Sequence, residues 1–360
     1  MEMIGLDLHK RETQLCICTE DGTIVEQRIA TSRERFTAVL GARPRARILL
    51  EASTESEWVA RHLESLGHEV IVGDPNFAPM YATRTRRTKT DRRDARALLG
   101  ANQVGAYRPA YRVSDARRHV RAELAVRETL VRTRARYITL AKTLVRRDGL
   151  RVPTSSPAVA VRHIHALPVL ADALSLSPFL GEELAPLTAI LAPLSAEIAA
   201  ADRRLEAHAA TDPDVARLMT MPAIGPVTAT ALVATIDDIQ RFRSAHQFEA
   251  YLGLVPSEQS SGERQHRGRI TKTGNARMRW LLIEAGWRVL HAKTPATAAL
   301  RTWALGIAAR RGKRVAVVAL ARRIAGILFA MWRDGVSYDA RKLRGWSAHA
   351  TTVVRSTSGR

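Results

Sequence analysis

Short apolar runs with period-two spacing fill the first hundred residues. MIGLDLH, TQLCICTE, TIVEQRIAT, RILLEAS and HEVIVGDP each predict a strand. The tight turn EDG joins the second and third as a hairpin. Ser32 or Thr31 caps a short helix through Phe36 and Leu40, SEWVARHLESLG is a helix stopped by Gly67, and KTDRRDARALLGA is the next. Residues 1–110 therefore predict an α/β layer on a mixed sheet. Beyond them the period lengthens. Val120, Leu124, Val126, Leu130, Val131, Tyr137, Leu140 and Leu144 mark one helix from about 114 to 148, unbroken by Pro or Gly until Gly149. A helix of that length packs against another long helix or a second subunit. The run SPFLGEELAPLTAILAPLSAEIAAADRRLEAHA is placed to return antiparallel to it, with VPTSSPAVAV between them as a loop. Residues 111–210 thus form a long helical, coiled-coil-like connector, and 211–340 a mostly helical domain. Residues 341–360 form a basic, Ser/Thr-rich tail expected to be disordered.

Composition narrows the partners. The 360 residues carry a formal charge of +21 with 46% hydrophobic residues, enough for two or three globular domains that repel one another unless a polyanion neutralises them. Arg outnumbers Lys, which suits bidentate phosphate contacts. No signal peptide, lipidation signal or apolar run long enough to span a bilayer is read from the sequence, so nucleic acid is favoured over a membrane surface and the chain is expected to be cytoplasmic. Cys16 and Cys18 lie two apart in one strand, on one face, and read as reduced thiols.

Four acids then stand out. Asp7 interrupts the first apolar strand, Glu51 ends the fourth, and Asp91 and Asp94 share a helix face at i, i+3. Carboxylates in such places are costly unless paired, and Mg²⁺ or Mn²⁺ is the hard cation that pairs them with phosphate oxygens. Asp7 in the first strand, with Glu51 at the end of its expected neighbour, is the arrangement of ribonuclease-H-like nucleases. His9 reads as an ordinary histidine or as a group supporting a ligand. The acids sit among Arg84, Arg86, Arg87, Lys89, Arg92, Arg93 and Arg96, a natural track for a nucleic-acid backbone. The turn PAIGP, with Gly225 before Pro226, resembles a helix-hairpin-helix turn offering amides to a phosphate, although Ala223 stands where glycine is more usual. SSGERQHRGRITKTGN gathers Arg264, His266, Arg267, Arg269 and Lys272, followed by Arg277 and Arg279. A serine beside such cations has the surroundings a phosphoryl-transferring nucleophile needs, though the residues alone do not single it out.

Taken together, IGLDLHK, LLEAS, KTDRRDARAL, MPAIGPVTA and GLVPSEQSSGERQHRGRITKTGNARMR resemble the IS110 family of DEDD transposases from bacterial insertion sequences, over residues 3 to about 335. The resemblance implies a RuvC-like, ribonuclease-H-like domain with Asp7, Glu51, Asp91 and Asp94 as metal ligands. It implies a serine of SSG, Ser260 first and Ser261 as the alternative, that links covalently to DNA. It also implies a structured noncoding guide RNA pairing with donor and target DNA, and a tetramer whose active centres draw on different subunits. A junction-resolving nuclease using water on the same acids, or a nucleic-acid-binding protein without activity, are the competing expectations.

Overall fold

The structure, a computed structural model, describes residues 1–82, 90–153, 156–173, 179–258 and 267–342. The chain divides into two compact units, Met1–Arg112 and Val113–Arg360.

In the first unit the five expected strands form: β1 (Glu2–Leu8), β2 (Glu12–Cys18), β3 (Ile24–Ala30), β4 (Ala46–Glu51) and β5 (Glu69–Gly73). They order β3-β2-β1-β4-β5. β1 is antiparallel to β2 and parallel to β4, so the sheet is mixed. Alternation sorts the two faces. Ile4, Leu6, Leu15, Ile48 and Leu50 pack under α1 (Arg33–Leu40) and α2 (Ser56–Ser65) with Phe36, Leu40, Val59 and Leu63. Ser32 caps α1 by accepting from Arg35 N, and Gly67 takes the left-handed φ of 93° after α2.

On the opposite face lies α3 (Asp91–Val104), capped by Thr90 and ended by left-handed Gly105. Cys16 packs with Ala95 and Leu99, and Leu49 with Leu98 and Ala101. Gly5 makes this contact possible. A Cβ there would fall far inside contact distance of Ala95 O and Leu99 N. Asn102, buried on α3, donates to Ile4 O at 3.2 Å and Arg47 O at 2.8 Å, which ties the helix to both central strands. Glu26 of β3 pairs with Arg92 and Arg96 on the helix's outer flank.

The second unit is helical. It comprises α4 (Asp115–Arg147), α5 (Pro157–Ala173), α6 (Leu180–Thr211), α7 (Pro213–Met219), α8 (Pro226–Ile236), α9 (Ala245–Tyr251), β6 (Pro256–Glu258), β7 (Arg267–Ile270), α10 (Ala276–His291), α11 (Ala298–Arg311) and α12 (Lys313–Arg333). α4 and α6 run antiparallel as expected. Glu123 meets His208 at 2.8 Å near one end, and Arg147 meets Glu183 at 2.5 Å near the other. Val120 and Leu124 of α4 and Leu205 of α6 join a core with Leu232, Met278, Leu320 and Phe329, whereas Ile138 and Val145 join Ile164 and Leu184. Asp237 ends α8 with a left-handed φ of 64°, and its carboxylate accepts from Ser114 N at 2.8 Å and Ser114 Oγ at 2.9 Å. Ser114 is itself the cap of α4.

Three features differ from the sequence expectations. The segment VPTSSPAVAV is not all loop: Pro157–Val161 begin α5, where proline's missing N–H costs nothing in the first turn, and Ser156 Oγ accepts from Val159 N at 3.2 Å. β6 and β7 form an antiparallel hairpin that the polar sequence did not announce. And two helices, α6 and α12, are in fact long and apolar enough to cross a membrane by length and composition. Their apolar residues are used in packing: Leu184, Leu191, Ile198 and Leu205 of α6 and Leu320, Ile324, Leu328 and Phe329 of α12 are buried in the fold. Of the expected tail, 341–360, residues 343–360 lie outside the described residues.

Replacing Gly5 by Ala should force α3 off the sheet and destabilise the protein by about 1–3 kcal/mol, the usual range for overpacking. Gly100→Ala, in the middle of α3 with open space around its missing Cβ, should instead stabilise by up to about 1 kcal/mol. Denaturant melts of the two variants check both; equal stabilities would contradict the close approach at Gly5.

Candidate active site

The acids gather at the carboxyl ends of β1 and β4. Asp7 is on the same sheet face as Gly5, the face that α3 covers. Glu51 follows Leu49 on that face, one residue past the Leu6–Leu50 pairing of the parallel strands. The first turn of α3 brings Asp91 and Asp94 there. Asp94 is buried and Asp91 half exposed. Asp7 is only 7% exposed, and its Oδ2 makes no hydrogen bond. Its pKa is pushed from the ordinary 3.8 up to about 6, chiefly by burial; nearby His9 opposes the rise, and the charges of Asp94, Asp91 and Glu51 add to it. Asp94, Asp91 and Glu51 are thus each close enough to act on the charge of Asp7.

His9, discounted in the sequence, stands among them. It follows β1 directly, and its Nε2 lies 3.2 Å from Asp7 Oδ2 and 3.3 Å from Asp91 Oδ1. Asp7, His9 and Asp91 present ligand atoms all within 4.8 Å of one another. A divalent cation suits such a centre. It would neutralise a buried carboxylate oxygen that has no hydrogen bond, and carboxylates with an imidazole are an ordinary donor set for such an ion. The spacing Asp-x-His was the signal available in the sequence. The supports at Gly5, Asn102 and Glu26 had none, because each acts across long sequence separations.

The basic residues divide. Arg84, Arg86, Arg87, Lys89, Arg264 and His266 lie outside the described residues, as do Ser260 and Ser261. Arg92 stays largely exposed although Glu26 holds it, and Arg93 is exposed on the same helix. Arg269 and Lys272 are exposed at and after β7, the strand that begins with Arg267; Lys272 has a left-handed φ of 57°. Gly225 is the partly exposed cap of α8, and Ala223 takes a φ of 71°, the region that favours glycine. Two expected surface cations are instead committed to the fold. Arg277 pairs with Glu128 at 2.8 Å and donates to Leu124 O at 2.8 Å. Arg279 is buried and donates to Leu252 O at 3.1 Å and Thr273 O at 2.6 Å, clamping the base of the hairpin. Two residues apart in α10, they leave on different sides of the helix, Arg277 toward α4 and Arg279 toward the base of the hairpin.

A mixed sheet in this order, with acids at the ends of its two central strands and on the helix laid across them, fits the ribonuclease-H-like domain of a DEDD enzyme. Residues 4–147 match the DEDD profile of IS110 elements described as Transposase, and residues 215–301 match that described as Transposase IS116/IS110/IS902 family. The chain is 32% identical over 335 residues to a probable family 20 transposase of Pseudomonas aeruginosa, covering 92% of this chain and 96% of the relative. It is 27% identical over 333 residues to the transposase for insertion sequence element IS1111A of Coxiella burnetii, covering 92% and 89%. It is likewise 27% identical over 338 residues to the transposase for insertion sequence element IS1328 of Yersinia enterocolitica, covering 94% and 98%. The chain belongs to the IS110 family of DEDD transposases, and DNA is its partner.

The raised pKa of Asp7 has a sign that can be measured. Between about pH 4 and 6 the folded chain binds a proton that the unfolded chain has already released, so metal-free stability falls as pH rises through that window and stays lower above it. Asp7→Asn removes the charge and should raise the thermal midpoint of metal-free protein at pH 7.5, with the gain vanishing toward pH 4. A midpoint unchanged or lowered at pH 7.5 would contradict the burial of an unfavourable charge.

Proposed function

We propose that this transposase excises and inserts its own element by serine-linked strand exchange at a metal centre held by Asp7, Glu51, Asp91 and Asp94. The observation that carries the reading is the burial of Asp7 at the end of β1, with Asp94, Asp91 and Glu51 close enough to act on its charge. A bound Mg²⁺ or Mn²⁺ supplies positive charge for the phosphate undergoing displacement. Ser260 Oγ, with Ser261 as the alternative, forms a bond to phosphorus as the bond to one DNA strand end breaks. That end leaves as a hydroxyl, taking up a proton as the serine gives one up. The hydroxyl of an incoming strand then attacks the phosphoserine ester, and the serine recovers its proton. Bonds are exchanged one for one, and no water is consumed.

The remaining residues hold DNA. Arg84, Arg86, Arg87, Lys89, Arg92 and Arg93 flank the acids in sequence, and Gly225 with the helix-hairpin-helix-like turn offers amides to a phosphate. Arg264, Arg267, Arg269 and Lys272 surround the serines in sequence. The family resemblance supports a structured guide RNA, a dimer or tetramer, and action in the cytoplasm.

Trapping tests the chemistry. Wild-type protein should yield a protein–DNA adduct, and Ser260→Ala should not. Full recombination by the double variant Ser260→Ala, Ser261→Ala would overturn the serine and favour a nuclease that uses water. Ser260→Ala protein mixed with Asp7→Asn protein should recover part of the activity if different subunits supply the serine and the acids. For the backbone contacts, replacing Arg267 and Arg269 by Gln should lower the slope of log affinity against log salt by about 1.8, at about 0.9 per lost contact, equally for unrelated sequences. An unchanged slope would remove these residues from the interface.

A further inference from the structure

We propose that His9 is itself a ligand of the divalent ion, and that this imidazole shifts the preference of the centre from Mg²⁺ toward Mn²⁺. The inference rests on the metal reading of the acids above and adds to it a fifth residue outside the DEDD set.

The geometry carries it. Cis ligands on an octahedral ion, with bonds of about 2.1 Å, stand about 3.0 Å apart. His9 Nε2 lies 3.2 Å from Asp7 Oδ2 and 3.3 Å from Asp91 Oδ1, close to two such edges meeting at the imidazole nitrogen. Asp7 Oδ2 is a buried oxygen with no hydrogen bond, and it is the atom that His9 faces. The imidazole is half exposed, as is Asp91, so the pair closes the solvent side of buried Asp7.

The backbone that carries His9 is fixed. Thr31 Oγ1 donates to His9 O at 2.8 Å and lies 2.7 Å from the Oγ1 of fully buried Thr13. His9 N donates to Glu12 O at 3.3 Å, and Thr31 N donates to Arg11 O at 2.9 Å. The turn between β1 and β2 is thus bolted to the end of β3, two strands away. Such support costs chain entropy and is the usual companion of a ligand that must be presented in one orientation.

The consequence is chemical. Carboxylates and water suit Mg²⁺, whereas an imidazole nitrogen favours the first-row transition ions, of which Mn²⁺ is the hardest. A centre with His9 bound should therefore hold Mn²⁺ better than a centre of four carboxylates would, while gaining little for Mg²⁺.

Pulsed electron paramagnetic resonance of full-length protein loaded with Mn²⁺ reads the ligand directly, without turnover. A directly bound imidazole should give ¹⁴N modulation in the wild-type spectrum. His9→Ala should abolish it, and Asp7→Asn should abolish the bound Mn²⁺ itself. Loss of supporting groups around a metal already costs about tenfold or more in affinity, so His9→Ala should weaken Mn²⁺ by at least that factor, with a much smaller change for Mg²⁺. Mn²⁺ bound in an Asp7-dependent way without nitrogen modulation would overturn the proposal, leaving His9 as a counter-ion and the acidic centre intact. Absence of any Asp7-dependent Mn²⁺ binding would overturn both the proposal and the metal reading beneath it. Nitrogen ligation is read from the wild-type spectrum itself, and the near-isosteric Asp7→Asn variant is needed only to assign the ion to this centre.

Discussion

The distance of α3 from β1 governs the centre. Asp91 and Asp94 are on a helix, Asp7 and Glu51 on strands, and only a helix backbone lying against the sheet brings the two sets within electrostatic reach. Gly5 allows that approach by having no Cβ. Asn102 fixes it with hydrogen bonds to the two central strands, and Glu26 fixes it again through Arg92 and Arg96. These contacts oppose the repulsion among the carboxylates that they gather. The pKa of Asp7, raised chiefly by burial, carries a further rise from the charges of Asp94, Asp91 and Glu51. A fold that holds like charges together without a cation stores free energy, and a divalent ion releases it on binding.

Much of this frame was legible. Five apolar runs became five strands because alternation across a half-covered sheet leaves a period of two. Asp7 and Glu51 were conspicuous because carboxylates are rare in such runs, and the i, i+3 spacing put Asp91 and Asp94 on one face. What was not legible lies in contacts between distant residues. Nothing near Gly5 in sequence foretells Ala95 and Leu99, and Asn102 resembles any polar residue near the end of a helix. Arg279 misled for a related reason: its charge suggested the surface, while its position four residues after Asn275 turned it toward Leu252 and Thr273. The hairpin of β6 and β7 is too short and polar to declare itself by pattern. The run that became α6 was read at helical length with Pro186 and Pro193 inside it; what went unread was that its apolar content, like that of α12, reaches membrane-spanning length.

The second unit shows how a basic chain builds a core despite its charge. Arg117, Arg127, Arg147 and Arg277 on α4 and α10 each find an acid, so part of the positive excess is spent on helix pairing. The exposed remainder includes Arg269 and Lys272 beside the hairpin whose base Arg279 clamps. Arginine thus takes two environments in one region: the buried Arg279 guanidinium satisfies backbone carbonyls, while Arg269 stays in solvent.

Asp237 couples two helix ends that are distant in sequence. Its backbone N–H closes α8 on Val233 O while its carboxylate holds Ser114, the cap of α4, although more than a hundred residues separate the two in the chain. Neither helix end can fray without undoing the other's cap. The two termini therefore open as one cooperative unit, in the sense used for foldons, and a local disturbance in the loop after α8 is felt at the first turn of the longest helix in the described protein.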